Sequence, residues 1–109
     1  MANKAGKVVT PTMEAFQAAA ANADWDHAPG FYLILANQPG DKSWPMTAAT
    51  FILMPKDPPN QAAANDAINF FKWAYEKGDK MAIDLDYIPM PDNVVALVEK
   101  MWAKDVKLK

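Results

Sequence analysis

The chain has 109 residues, 51% of them hydrophobic and 22% charged, with 9 prolines, no cysteine and a formal net charge of −2, the profile of one modest globular domain and not of a disordered linker. Every cation is a lysine, so the chain offers neither the clustered basic surface that nucleic acid or anionic lipid requires nor the guanidinium fork that grips phosphate in two places. Lack of cysteine removes disulfides, zinc-thiolate sites and cysteine nucleophiles together, and with no signal-like apolar start and no window near the roughly 20 apolar residues of a membrane span, the chain as written reads as soluble and unsecreted.

The first element is a helix opening at Thr10-Pro11-Thr12-Met13-Glu14, with Thr10 as hydroxyl cap, Pro11 at the first helical position and an acid in the first turn. Phe16, Ala19, Ala20 and Ala23 mark one face at helical spacing, and Asn22 to Asp26 close the helix. After a loop carrying Pro29 and Gly30, Phe31-Tyr32-Leu33-Ile34-Leu35 is short, apolar and aromatic, which predicts a strand. Gln38-Pro39-Gly40-Asp41 predicts a turn. It leads into Ser43 to Asp57, "SWPMTAATFILMPKD", where Thr50 to Met54 read as a strand buried on both faces.

Beyond Pro58-Pro59, Ala64, Ile68, Phe71 and Tyr75 recur at helical intervals and predict a helix over 62–77, ended by Gly78 as a left-handed cap. Met81 to Tyr87 predict a further short helix, stopped by Pro89 and Pro91. A last helix is expected from Pro91 or Asp92 to Asp105. Val94, Leu97, Val98, Met101 and Trp102 form its apolar stripe, and Lys100, Lys104 and Lys107 sit near its negative end. There is no internal repeat and no heptad series.

Few residues suggest chemistry. His27 is the single histidine, so Asp24-Trp25-Asp26-His27 reads as a loop with solvated acids in preference to a metal or catalytic site. Asp84 and Asp86, in Asp84-Leu85-Asp86-Tyr87, are close enough for acid-base or magnesium chemistry, but aspartates between a short helix and a proline turn more commonly cap. Phe70, Phe71, Trp73 and Tyr75 read as helical core, with Trp73 as a docking residue on the other face. The hydroxyls of Ser43, Thr47 and Thr50 are of a kind that holds anions. Gly40-Asp41-Lys42-Ser43 nevertheless fails the phosphate-loop pattern, because the paired glycine is missing and the stretch enters a strand instead of leaving one for a helix. Spacing alone therefore describes a mixed α and β domain with no assembled active site.

Longer phrases carry a resemblance. Trp44-Pro45-Met46-Thr47, Thr50-Phe51-Ile52-Leu53, Phe70-Phe71-Lys72-Trp73-Ala74-Tyr75, Gly78, and Leu85-Asp86-Tyr87 through Pro89 and Pro91 resemble, in order and spacing, the C-terminal portion of the periplasmic phosphate-binding proteins of bacterial phosphate ABC transporters. The upstream "GKVVTPTMEAFQAAAANADW" is similar as well, so the likeness runs from about Asn3 to Trp102. It implies a partial type II periplasmic-binding-protein fold, α/β in class (α+β as an isolated segment) and helix-rich with one or two strands. Residues 1–42 would end the second lobe, 43–50 cross between lobes, and 51–109 complete the first lobe, as one compact unit in this chain. It further implies a periplasmic, non-catalytic solute-binding component without cofactor or metal, whose partners are inorganic phosphate and the transporter's membrane permease, and not nucleic acid. No residue here matches a phosphate-ligand position of that family, so no binding residue is carried over. The alternative is a self-standing structural or interaction module derived from such a protein, acting as a homo-oligomer or domain-swapped assembly without anion binding.

Overall fold

In the computed structural model, which describes residues 1–108, four α-helices carry the regular structure: α1 (Met13–Ala21), α2 (Gln61–Lys77), α3 (Asp79–Asp84) and α4 (Asp92–Asp105). The chain divides into two units, where one was expected from its length. The first comprises Met1–Thr50 and Met90–Val94, and the second Phe51–Pro89 and Val95–Lys109.

The first unit is built on α1. Thr12, with φ −97° and ψ 161°, is its N-cap, and the Thr12 hydroxyl accepts from the Ala15 N–H at 3.3 Å. The cap is thus Thr12 and not Thr10: both threonines flank Pro11, but only Thr12 stands three residues before an orphan amide at the right distance. Ala15, Ala19 and Ala20 are buried, and their small side chains let two tryptophans close on the helix. The Trp44 amide donates to the Ala15 carbonyl at 2.9 Å, and the Trp25 indole N–H donates to the Ala20 carbonyl at 2.8 Å. Trp44 also meets Phe16 at 6.3 Å between ring centroids, and Trp25 meets Phe31 at 5.7 Å. Buried Leu35 and Val94 belong to the same unit, and the Asn93 amide reaches the Ala21 carbonyl at 3.4 Å. Each buried polar tip in this small core has a partner, which is what makes tryptophan burial affordable.

In the second unit the Asn60 side chain caps α2, accepting from Ala63 N–H at 3.0 Å. Tyr75 of α2 stacks on Trp102 of α4 with ring centroids 6.0 Å apart and planes 30° apart. The Lys107 amide donates to the Lys56 carbonyl at 2.8 Å and so ties the segment after α4 to the segment before α2. The ion pairs there, Lys56 with Asp105 at 3.8 Å and Lys107 with Asp57 at 3.9 Å, are long and solvated, and such pairs add little.

The structure corrects the sequence reading at three further points. Neither Phe31–Leu35 nor Thr50–Met54 forms a strand. Pro29–Phe31 is a 3-10 turn, and among the described residues β-pairing is limited to one antiparallel bridge between Ala2 and Val8. High β-propensity supplies side chains suited to a sheet, but a strand exists only where a second one offers ladder groups. Gly78 is right-handed, with φ −90° and ψ −7°, and is shared between the end of α2 and the start of α3; a left-handed residue there would turn the chain away from the next helix. The short helix is Asp79–Asp84 and not Met81 to Tyr87, because it begins immediately after that glycine. The helix-rich character and the extents of α2 and α4 agree with the sequence reading.

Candidate functional site

Each sequence-predicted group has a definite place. The Asp24 carboxylate meets His27 Nδ1 at 2.8 Å on the surface of the first unit. That hydrogen bond, then the Asp24 charge, and to a lesser degree the Asp26 charge, hold the His27 imidazolium above the usual histidine range. The pair is open to water, and among the described residues no group of three or more histidine, cysteine or acidic side chains converges where a metal ion could sit. Asp84 is engaged by Lys80 one turn earlier, at 2.6 Å. Asp86 sits at φ 61°, a left-handed position that aspartate tolerates better than most residues. Both are exposed, so the acidic pair is a solvated helix end and not a paired acid and base.

Two of the three hydroxyls near the expected crossover, those of Ser43 and Thr47, are turned inward. Ser43 is 0% exposed; its Oγ donates to the Pro39 carbonyl at 2.6 Å and accepts from the Asn22 amide at 3.4 Å. Thr47 Oγ1 donates to the Trp44 carbonyl at 2.9 Å, and Thr50 is exposed by itself. Hydroxyls committed to backbone carbonyls have no proton left for an anion. The aromatic cluster divides. Phe71 and Tyr75 are half-buried, and burial pushes the Tyr75 phenol upward, whereas Phe70 and Trp73 are 58% and 45% exposed, with ring centroids 5.9 Å apart. The expectation that Phe70 is core therefore fails; it stands with Trp73 on the open side of α2.

One polar centre escaped the sequence reading. Asn3 is buried, and its Nδ2 lies 3.1, 2.8 and 3.2 Å from the carbonyls of Gly40, Asp41 and Ser43, while its Oδ1 accepts from the amides of Ala5 and Lys7 at 3.1 and 3.0 Å. A single residue thereby closes the N-terminal turn and pins the loop that leads to Trp44. Gly6, three residues later at φ 74°, was the one sequence sign of that turn. In the second unit a surface cavity of about 280 Å³ is lined by Ile68 and Lys72 of α2, by Glu99, Trp102 and Ala103 of α4, and by Val106 and Leu108. Its apolar walls and one cation beside one anion do not select phosphate.

No family model matches the chain. Curated relatives do. The chain is 46% identical to the phosphate-binding protein PstS of Xylella fastidiosa strain Temecula1 over 105 residues, which is 96% of this chain and 29% of that protein. Identity is 45% to the protein of the same name from Pasteurella multocida, over 96% of this chain and 30% of that one. For Haemophilus influenzae it is 42%, covering 31% of the relative. This chain is homologous to a segment of the PstS proteins. It spans about three tenths of the length of these relatives, and the matched residues contain the helices α1 to α4 and both apolar segments that lack strand partners.

Proposed function

We propose that this chain serves as the C-terminal portion of a PstS-type solute-binding component of a bacterial phosphate ABC importer. It works in the periplasm and without catalysis. Phosphate would lie in a cleft between two lobes, and the complete protein would deliver it to the membrane permease. In that reading residues 1–42 end the second lobe, 43–50 cross over and 51–109 complete the first lobe. The observation that carries the reading is the 42–46% identity maintained over 96% of the chain to proteins named for phosphate binding. The inward commitment of Ser43 and Thr47 and the lack of arginine support a division of labour in which these 109 residues build the lobes and polypeptide outside them supplies the anion ligands.

Calorimetry with inorganic phosphate separates this reading from a self-contained phosphate binder. The 109-residue chain alone is expected to give no saturable heat up to millimolar phosphate, whereas a longer PstS-type chain carrying this segment binds it. Micromolar binding by the short chain would place ligands within it and refute the division of labour. A longer chain that binds a different anion and ignores phosphate would refute the functional reading itself.

A further inference from the structure

The helix α2 (Gln61–Lys77) has two sides put to different uses. Ala64, Ile68 and Phe71 lie on the side from which Tyr75 stacks on Trp102 of α4. At about 100° per residue, Asp66, Phe70, Trp73 and Lys77 lie on the opposite side, and all four are exposed. Trp73, read from the sequence as a docking residue, stands here beside Phe70, with ring centroids 5.9 Å apart and exposures of 45% and 58%. Apolar area on that scale gains stability by being covered. Among the described residues neither Asp66 nor Lys77 makes an ion pair, so the charges that bracket the two rings are uncommitted.

The order of these four residues selects the occupant. Their spacing of four, three and four residues is the seam spacing of paired helices, and acid, ring, ring, base is its own complement when read backwards. A twofold axis crossing the seam at the level between Phe71 and Lys72 lays a second α2 antiparallel on the first. Phe70 then stands level with Trp73 of the second copy, and Asp66 level with Lys77 of the second copy, each contact occurring twice by symmetry. A parallel arrangement would instead set acid on acid and base on base. From this self-complementarity we infer that the Asp66, Phe70, Trp73 and Lys77 face of α2 is a homodimer interface, occupied by α2 of a second copy in antiparallel register. A ring of this size buries about 150–250 Å², and roughly half of each is exposed here. Four such rings fall short of a standard interface, so dissociation is expected at about 10–100 μM. The pairing makes no use of phosphate and stands or falls apart from the functional reading proposed above.

Sedimentation equilibrium of the 109-residue chain from about 1 to 500 μM reads the mass, and the Trp73 indole resonance reads the site. A monomer–dimer equilibrium is expected, with the Trp73 resonance shifting in step with the mass. Phe70→Ala and Trp73→Ala should each weaken association at least about tenfold while leaving the helical circular dichroism unchanged. Exchanging charges reads the register. Asp66→Lys and Lys77→Asp each bring like charges together twice, and each should weaken self-association at least about fivefold. An equimolar mixture of those two variants, and the double variant alone, should recover it, because unlike charges then meet again. A monomer throughout the range, a dimer indifferent to both ring substitutions, or a mixture that fails to recover overturns the inference. So does a longer PstS-type chain that stays monomeric while its Trp73 indole is shielded from a soluble paramagnetic agent, because the face is then covered by the chain's own polypeptide.

Discussion

Replacing Asn3 by alanine tests how the first unit is held together. The two amide protons of Asn3 serve three carbonyls, those of Gly40, Asp41 and Ser43, and its oxygen serves the amides of Ala5 and Lys7. Four hydrogen-bonding valences at a net value of about 1 kcal/mol each set an upper figure near 4 kcal/mol. Water can replace the partner wherever the backbone group is accessible, which is so around exposed Ala5, Lys7 and Asp41. The loss that water cannot repair is at Ser43, which is 0% exposed. We expect Asn3→Ala to destabilise the first unit by about 2–3 kcal/mol. Urea unfolding followed through the four tryptophan indole resonances measures this, since Trp25 and Trp44 report the first unit and Trp73 and Trp102 the second. The midpoints of Trp25 and Trp44 should fall and those of Trp73 and Trp102 should stay. A change under about 0.5 kcal/mol, the size expected of an exposed control such as Thr50→Ala, would refute the account. Asn3→Asp sharpens the test. Its carboxylate would face three carbonyl oxygens, so its folded-state pKa would be raised. Stability is then fully present below the unfolded carboxyl value and is lost as pH rises through the folded one, which predicts a variant more stable in acid than at neutrality.

A Cβ at Gly78 would collide with the Ala74 carbonyl, and backbone cannot yield as a side-chain tip does. Gly78→Ala should therefore destabilise the second unit by about 1–3 kcal/mol, read from the Trp73 and Trp102 midpoints, even though the glycine is right-handed and alanine is the better helix former. The raised pKa of His27 depends first on its hydrogen bond to Asp24. Asp24→Asn should lower it toward the ordinary histidine value in an NMR titration, and no movement would discard the pairing. For the unmodified chain the sign is fixed: the His27 contribution is present at pH below its unfolded value and disappears as pH rises through the raised folded one.

The helices α2 and α4 were legible because their signals are local. Ala64, Ile68, Phe71 and Tyr75 share a face, and Pro58-Pro59 and Pro91 mark where the two helices can begin. Thr12 shows the grain of such signals: two hydroxyls flank one proline, and only the distance to Ala15 N–H separates them. Gly78 shows a conflict between levels, since the preference of glycine for a left-handed turn gave way to the next helix beginning one residue later. The two expected strands fail for a different reason. The affinity of Phe31–Leu35 and Thr50–Met54 for a sheet is written in their side chains, while a strand also needs a ladder from a second segment, which no property of these residues supplies. Asn3 was invisible because a residue that binds five distant or turn-forming backbone groups follows no period. The groups weighed for chemistry and set aside stand in local pairs, Asp24 with His27 and Asp84 with Lys80, and the family likeness came from collinear phrases instead of chemistry at one place.

From Ser43 to Pro55 thirteen residues pass without a charge, and the run is bounded by Lys42 on one side and Lys56 and Asp57 on the other. Those flanks act as gatekeepers. If copies of the chain were to stack in parallel register along this run, Lys42 would lie on Lys42 and Lys56 on Lys56 at every step of about 4.8 Å, and the repulsion would accumulate with each copy added. A sheet edge of different sequence carries no such penalty. The exposed part of the run, Phe51 to Leu53, is in this way guarded against parallel stacking with its own copies.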